Sequence, residues 1–200
     1  MPNLKFILIA SLVLMAQFSF SQESKFSAEA NFPFSVGNNY FGKDYSGIID
    51  LGVKYRFLEL SKINIGISVN GSYFKKKAER YIPSYPSEQQ DPYKASEINN
   101  FTILPRLFAE MNIESLPKFR PFIGLGYSVL IFNAASNSGQ ATSSKTLTGI
   151  NGNLGVSYML TTKLFAQVLY DYIQLSDEKD HGQPDANNIS ILKLGMGIML

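Results

Sequence analysis

From residue 26 onward, large apolar residues recur at every second position, in runs that polar residues interrupt too often for a membrane helix. The stretch "NLGVSYMLTTKLFAQVLYDY", residues 153–172, is representative: Asn153, Ser157, Gln167 and Asp171 fall between Leu154, Val156, Tyr158, Val168 and Tyr170. A period of two belongs to a strand with two unlike faces. The first run sets Phe26, Ala28, Ala30, Phe32 and Phe34 against Ser27, Glu29 and Asn31. The second sets Ile49, Leu51, Val53, Tyr55 and Phe57 against Asp50, Gly52, Lys54 and Arg56. Runs beginning at Ile63, Phe101 and Phe122, two within the quoted stretch, and a last one from Leu192 to Leu200 complete a set of eight strands. They span roughly 9–13 residues, near the ~9–11 that a tilted membrane strand needs.

The intervals between runs alternate long and short. Residues 35–47, 75–97, 134–146 and 177–187 are long connections; 58–62, 114–118 and 161–163 are short. Long loops at one end and tight turns at the other characterise an up-and-down barrel in an outer membrane, with the tight turns periplasmic. A three-residue turn at Thr161–Lys163 fixes a register in which Tyr158 faces Ala166, Val156 faces Val168, Leu154 faces Tyr170 and Tyr172 covers Gly152. The other face then pairs Ser157 with Gln167 and Asn153 with Asp171; a one-residue slip would mix the faces.

Composition sharpens this picture. Charged residues are 17% of the 200, while Gly (15), Tyr (11) and Phe (15) are plentiful. A net charge of +2 without a basic block argues against a nucleic-acid partner. Lys5, the apolar run "FILIASLVLMAQFSF" and the small residues Ser19 and Ser21 predict a secretory signal peptide over 1–21, leaving 22–200 as one barrel domain. The absence of Cys rules out disulfides and a lipid-anchoring cysteine.

The apolar face carries no charge in any run, whereas the polar face is rich in Gly and Ser. Its charges nearly balance: Glu29, Asp50, Glu110 and Asp171 against Lys54, Arg56, Arg106, Arg120 and Lys193. Eight strands enclose a space that side chains just fill, and few charges of either sign survive there without a partner. The expectation is therefore an inverted barrel, with lipid outside and a lumen network of Glu29, Asp50, Lys54, Arg106, Glu110, Asp171 and Lys193 inside. Phe34, Tyr73, Phe101 and Tyr172 mark one aromatic girdle, and Phe26, Tyr55, Phe57 and Tyr158 the other. Pro105 removes a ladder hydrogen bond and predicts a bulge.

The signal peptide, the eight alternating strands and the terminal "NISILKLGMGIML" resemble the small outer-membrane β-barrel family, which includes the OmpX-type proteins and the membrane barrel of OmpA. Leu200 stands where that family usually ends in an aromatic residue. The resemblance implies an all-β, eight-stranded antiparallel barrel in the bacterial outer membrane, inserted by the barrel-assembly machinery and acting as a monomer among lipids that include anionic lipopolysaccharide.

Candidate chemistry is sparse. The one histidine, His181, lies in the polar loop "SDEKDHGQPD", whose acids lack the spacing of a Ca²⁺ loop. Gly124-Leu125-Gly126 reads as small lumen residues on a strand rather than a nucleotide loop. No catalytic, cofactor or metal site is expected. Lys75, Lys76, Lys77 and Arg80 follow the upper girdle: they either contact anionic lipid or a loop partner, or only mark the strand end. The leading expectation is a non-enzymatic protein serving membrane integrity or surface interaction through its loops. A narrow pore, a lipid-modifying enzyme and a secreted soluble barrel holding an apolar ligand are the alternatives.

Overall fold

A computed structural model describes residues 25–37, 40–41, 45–81, 93–135, 143–176 and 187–200; the side chains of 77–81, 93–97, 134–135 and 143 are outside that description. The proposed signal peptide, His181 with its acidic neighbours, and residues 82–92 therefore lie outside the described residues. Eight strands are present: β1 (Phe26–Ser35), β2 (Tyr45–Glu59), β3 (Ile63–Tyr81), β4 (Tyr93–Met111), β5 (Phe119–Ala135), β6 (Ser143–Met159), β7 (Leu164–Leu175) and β8 (Asn188–Met199). Each pairs antiparallel with its chain neighbour, and β1 closes the barrel on β8. Closure removes every free sheet edge within the paired region, as a lipid environment demands of backbone N–H and C=O groups.

The β6–β7 hairpin has the register that its sequence specifies. Gly152 pairs with Tyr172, Leu154 with Tyr170, Val156 with Val168, Ser157 with Gln167 and Asn153 with Asp171. Around the whole barrel one parity of each strand is buried and the other exposed. Leu125 is 66% exposed while Asp50, Asp171 and Lys193 are 0% exposed. Water would reward the opposite arrangement, so the surrounding solvent of this exterior is hydrocarbon. Phe34, Phe101 and Tyr172 stand exposed toward the loop end, and Phe26, Phe57 and Tyr158 toward the tight turns.

Three features depart from the sequence reading. The central strands are longer: β3 and β4 have 19 residues each, and β5 and β6 have 17 each. Residues 75–81 and 93–97, expected as loop, remain paired from Lys75↔Asn99 to Tyr81↔Tyr93. Register shifts fall in β2, between Gly47 and Ile49 and between Arg56 and Leu58. Each turns two successive residues outward, so Ile48 and Ile49, and Phe57 and Leu58, are all exposed. Pro105 makes no bulge. It pairs with Val69 in an unshifted register, and the β4–β5 ladder merely lapses between Ile103↔Val129 and Arg106↔Gly126. The missing N–H is absorbed by a local gap rather than by an inserted residue.

Candidate functional site

The lumen is stacked in layers. Its middle holds a closed circuit of polar side chains drawn from six strands. Asn31 Nδ2 donates to Asp50 Oδ1 (2.7 Å), and the Lys193 ammonium lies 2.6 Å from Asp50 and 2.7 Å from Asp171. Arg106 meets Asp171 at 3.0 Å and donates to Asn70 Oδ1 at 3.3 Å. Asn70 Nδ2 in turn donates to Glu29 (2.7 Å) and Asp50 (3.1 Å). Glu29 pairs with Lys54 at 2.9 Å, and Lys54 donates to Gln167 Oε1 at 3.4 Å. Gln167 Nε2 returns to Asn31 Oδ1 at 2.7 Å, which completes the ring. Ser72 adds a hydroxyl to Asp50, and Asn151 accepts from Arg106.

Space for this ring comes from β5, whose inner face there is bare. A Cβ on Gly126 would collide with the Pro105 carbonyl and the Arg106 stem, and one on Gly124 would collide with Asn153. Below the ring, Phe122 and Phe108 cross the lumen. The Lys54 ammonium sits 4.1 Å from the Phe122 ring centre, a cation–π contact in a dry setting. Toward the tight turns, Arg56 grips Glu110 with two parallel bonds of 3.1 and 2.9 Å and also donates to Ser27 at 3.3 Å. Arg120 lies 3.8 Å from the same carboxylate. Arg56 and Arg120 line a vestibule of about 410 Å³ at the tight-turn end, together with Glu59, Asn64, Asn112 and Thr162.

Above the ring lies an apolar plug that the sequence reading did not foresee. Phe74, Leu104, Leu130, Phe132, Leu147, Ile173, Ile189 and Ile191 point inward and pack with Phe41 and Tyr45. Phe41 comes from the β1–β2 connection and is 1% exposed. Its ring lies 4.8 Å from Tyr45, 4.7 Å from Phe74 and 6.2 Å from Phe132. The plug rests directly on the ring, since Leu104, Ile173 and Ile191 each sit two residues above Arg106, Asp171 and Lys193. An apolar lid lowers the local dielectric and strengthens the ion pairs beneath it.

All seven residues of the expected lumen network are buried. Glu29, Asp50, Lys54, Arg106, Asp171 and Lys193 belong to the ring, while Glu110 belongs to the lower Arg56 pair. Asn31, Asn70, Asn151 and Gln167 also belong to the ring, beyond the charged residues expected there. Inward parity is their signal in the sequence, and a neutral amide on that face carries no charge that demands a partner. Two side chains of the basic cluster are described, and they diverge. Lys75 is exposed, but Lys76 turns over the lumen, with its ammonium 5.4 Å from the Tyr45 ring. The side chains of Lys77 and Arg80 are outside the described residues. Among the described residues no group of three acids or histidines is placed to hold a metal ion.

An apolar exterior, a charged and filled interior, and turns that alternate short and long define an integral outer-membrane β-barrel. Residues 6–193 match the family model for the outer membrane protein beta-barrel domain, and the chain belongs to that family. Among solved structures it is similar to a major outer membrane protein from Thermus thermophilus (14% identity, TM-score 0.57, covering 86% of this chain and 97% of that one). It is also similar to Neisserial surface protein A (16% identity, TM-score 0.55, 88% and 96% covered). Ail, the attachment invasion locus protein of Yersinia pestis, solved with a heparin analogue, is a third (14% identity, TM-score 0.54, 86% and 95% covered). No curated protein matches the chain in sequence. The protein resides in the bacterial outer membrane, with the tight turns toward the periplasm.

Proposed function

We propose that this protein is a non-enzymatic, non-conducting barrel that serves membrane integrity and surface contact from its outside. The observation that carries this reading is the double seal of the lumen: the apolar plug lies directly on a ring whose charges already satisfy one another. A conduit needs a continuous wet path, and both layers oppose one. The pore alternative loses support on this ground. The working surfaces are then the lipid-facing band and the part of β3–β6 that continues beyond it. Nineteen residues in β3, rising ~3.3 Å each at a tilt of ~40°, reach about 48 Å, against an apolar band of ~25 Å. Lys75 stands on the outer face at the start of this extension, where phosphates of an anionic outer leaflet are in reach.

The test compares a deletion strain with complemented strains for uptake of a hydrophobic dye and for lipid A structure. The wild-type gene and the His181→Ala gene are expected to restore the barrier equally, with lipid A unchanged throughout. A His181→Ala chain that inserts but fails to restore the barrier, or lipid A that depends on the gene, would overturn the non-enzymatic reading.

A further inference from the structure

The lipid-facing side of the barrel is not uniformly smooth. Over β3, β4 and β5 it carries a trough of about 320 Å³, walled by Ile65, Leu107, Ile123 and Leu125 and floored by Ala109. Its origin is local. Ala109 is paired between Ile65 and Ile123, so one methyl group lies between two branched four-carbon side chains. The backbone of Gly124, whose missing side chain would point into the lumen, lines the floor beside it. A bare position elsewhere on the lipid face, Gly71, is covered by the Phe101 ring at 3.5 Å from where its Cβ would be.

Directly below, two residues along the same face of β4, lies a second hollow of about 520 Å³ between the β2–β3 and β4–β5 turns. Ile63, Met111 and Ile113 supply its apolar wall, and Lys62 and Glu114 its charges. The two turns are tied by the Asn112 N–H donating to the Lys62 carbonyl at 2.8 Å, so the hollow is a built feature of the periplasmic rim. Both Lys62 and Glu114 are exposed, and neither makes an ion pair with a described residue.

We propose that trough and hollow together bind one phospholipid of the inner leaflet whose head group carries a phosphate beside a primary ammonium. The trough takes an acyl chain, because its walls are aliphatic and it opens only to hydrocarbon. The hollow lies at head-group depth, where Lys62 meets the phosphate and Glu114 meets the ammonium. A purely anionic head would leave Glu114 opposed to it, and a choline head would offer Glu114 no N–H donor. Charge complementarity therefore selects the aminophospholipid, and the pairing across the two turns holds the site's geometry.

The barrel would be delipidated, placed in nanodiscs with equimolar phosphatidylethanolamine, phosphatidylglycerol and phosphatidylcholine of identical chains, and released for native mass spectrometry. One phosphatidylethanolamine per barrel is expected, enriched over the other two. Lys62→Ala and Glu114→Ala should each lower retention about fivefold, the size of one lysine–phosphate contact at a membrane surface. Ala109→Leu should abolish retention by filling the trough, while heat-modifiable gel mobility shows that the variant still folds. Retention in proportion to the mixture would overturn the proposal. So would a preference for phosphatidylglycerol that Glu114→Ala enhances, or a cross-linked dimer that Ala109→Leu removes, since the trough would then belong to a second copy of the chain.

Discussion

Lys193 shows what a single residue contributes in this protein. Its ammonium has no solvent contact and is held between two carboxylates, Asp50 at 2.6 Å and Asp171 at 2.7 Å, with the Ser72 hydroxyl at 3.2 Å. Lys193→Met would keep most of the volume but leave Asp50 without a cation and Asp171 with Arg106 alone. Removing one partner of a buried pair costs about 3–5 kcal/mol, because the remaining charge is stranded in a low dielectric. Urea unfolding of the variant in detergent micelles should show a loss of that order, whereas Lys163→Ala on an exposed turn should change little. Strand parity made the inward direction of Lys193 and its six companions legible in the sequence. Which acid it meets was not legible. That depends on the height at which β2, β7 and β8 bring their side chains into the lumen, and parity says nothing of height.

At the scale of the strand, alternation was informative only where lipid enforces it. Between Ile63 and Tyr73 the outward face must be apolar, and the period of two is unbroken. Beyond Tyr73 the exterior meets water, so Lys75 and its successors carry no apolar face although the backbone ladder runs on to Tyr81. In the sequence, the pattern of the strand stops where only the membrane stops. The bulges in β2 were hidden for a related reason: Ile48 and Leu58 are apolar like their neighbours, and the extra outward residue breaks no hydrophobic pattern. Glycines separate by face in the same way. Gly126 has the Pro105 carbonyl and Arg106 where a Cβ would go, whereas the nearest atoms to a Cβ on Gly152 are 3.7 and 3.9 Å away. Gly126→Ala should lower the yield of folded, heat-modifiable barrel and its urea midpoint. Gly152→Ala should leave both near wild type. Equal effects would contradict the packing described for the β4–β5 ladder.

For the molecule as a whole, the sequence carried the reversal of polarity, because an uncharged face in eight successive runs has no purpose in water. It did not reveal the plug. Leu104, Leu130, Ile173 and Ile191 are inward by parity, yet an apolar side chain near a strand end reads the same whether it meets lipid or other apolar residues. Phe41 belongs to a connection, where no period applies. The interior is polar through its middle, as the charge pattern implied, and is capped by an aromatic and aliphatic layer on the extracellular side. On the proposed reading, plug and ring together close the barrel to ions and solutes. Recording of the purified wild-type barrel in a planar lipid bilayer tests this most directly. Flat traces are expected over the full voltage range, after insertion has been verified by heat-modifiable mobility; reproducible ohmic steps from the folded wild-type protein would contradict a sealed lumen.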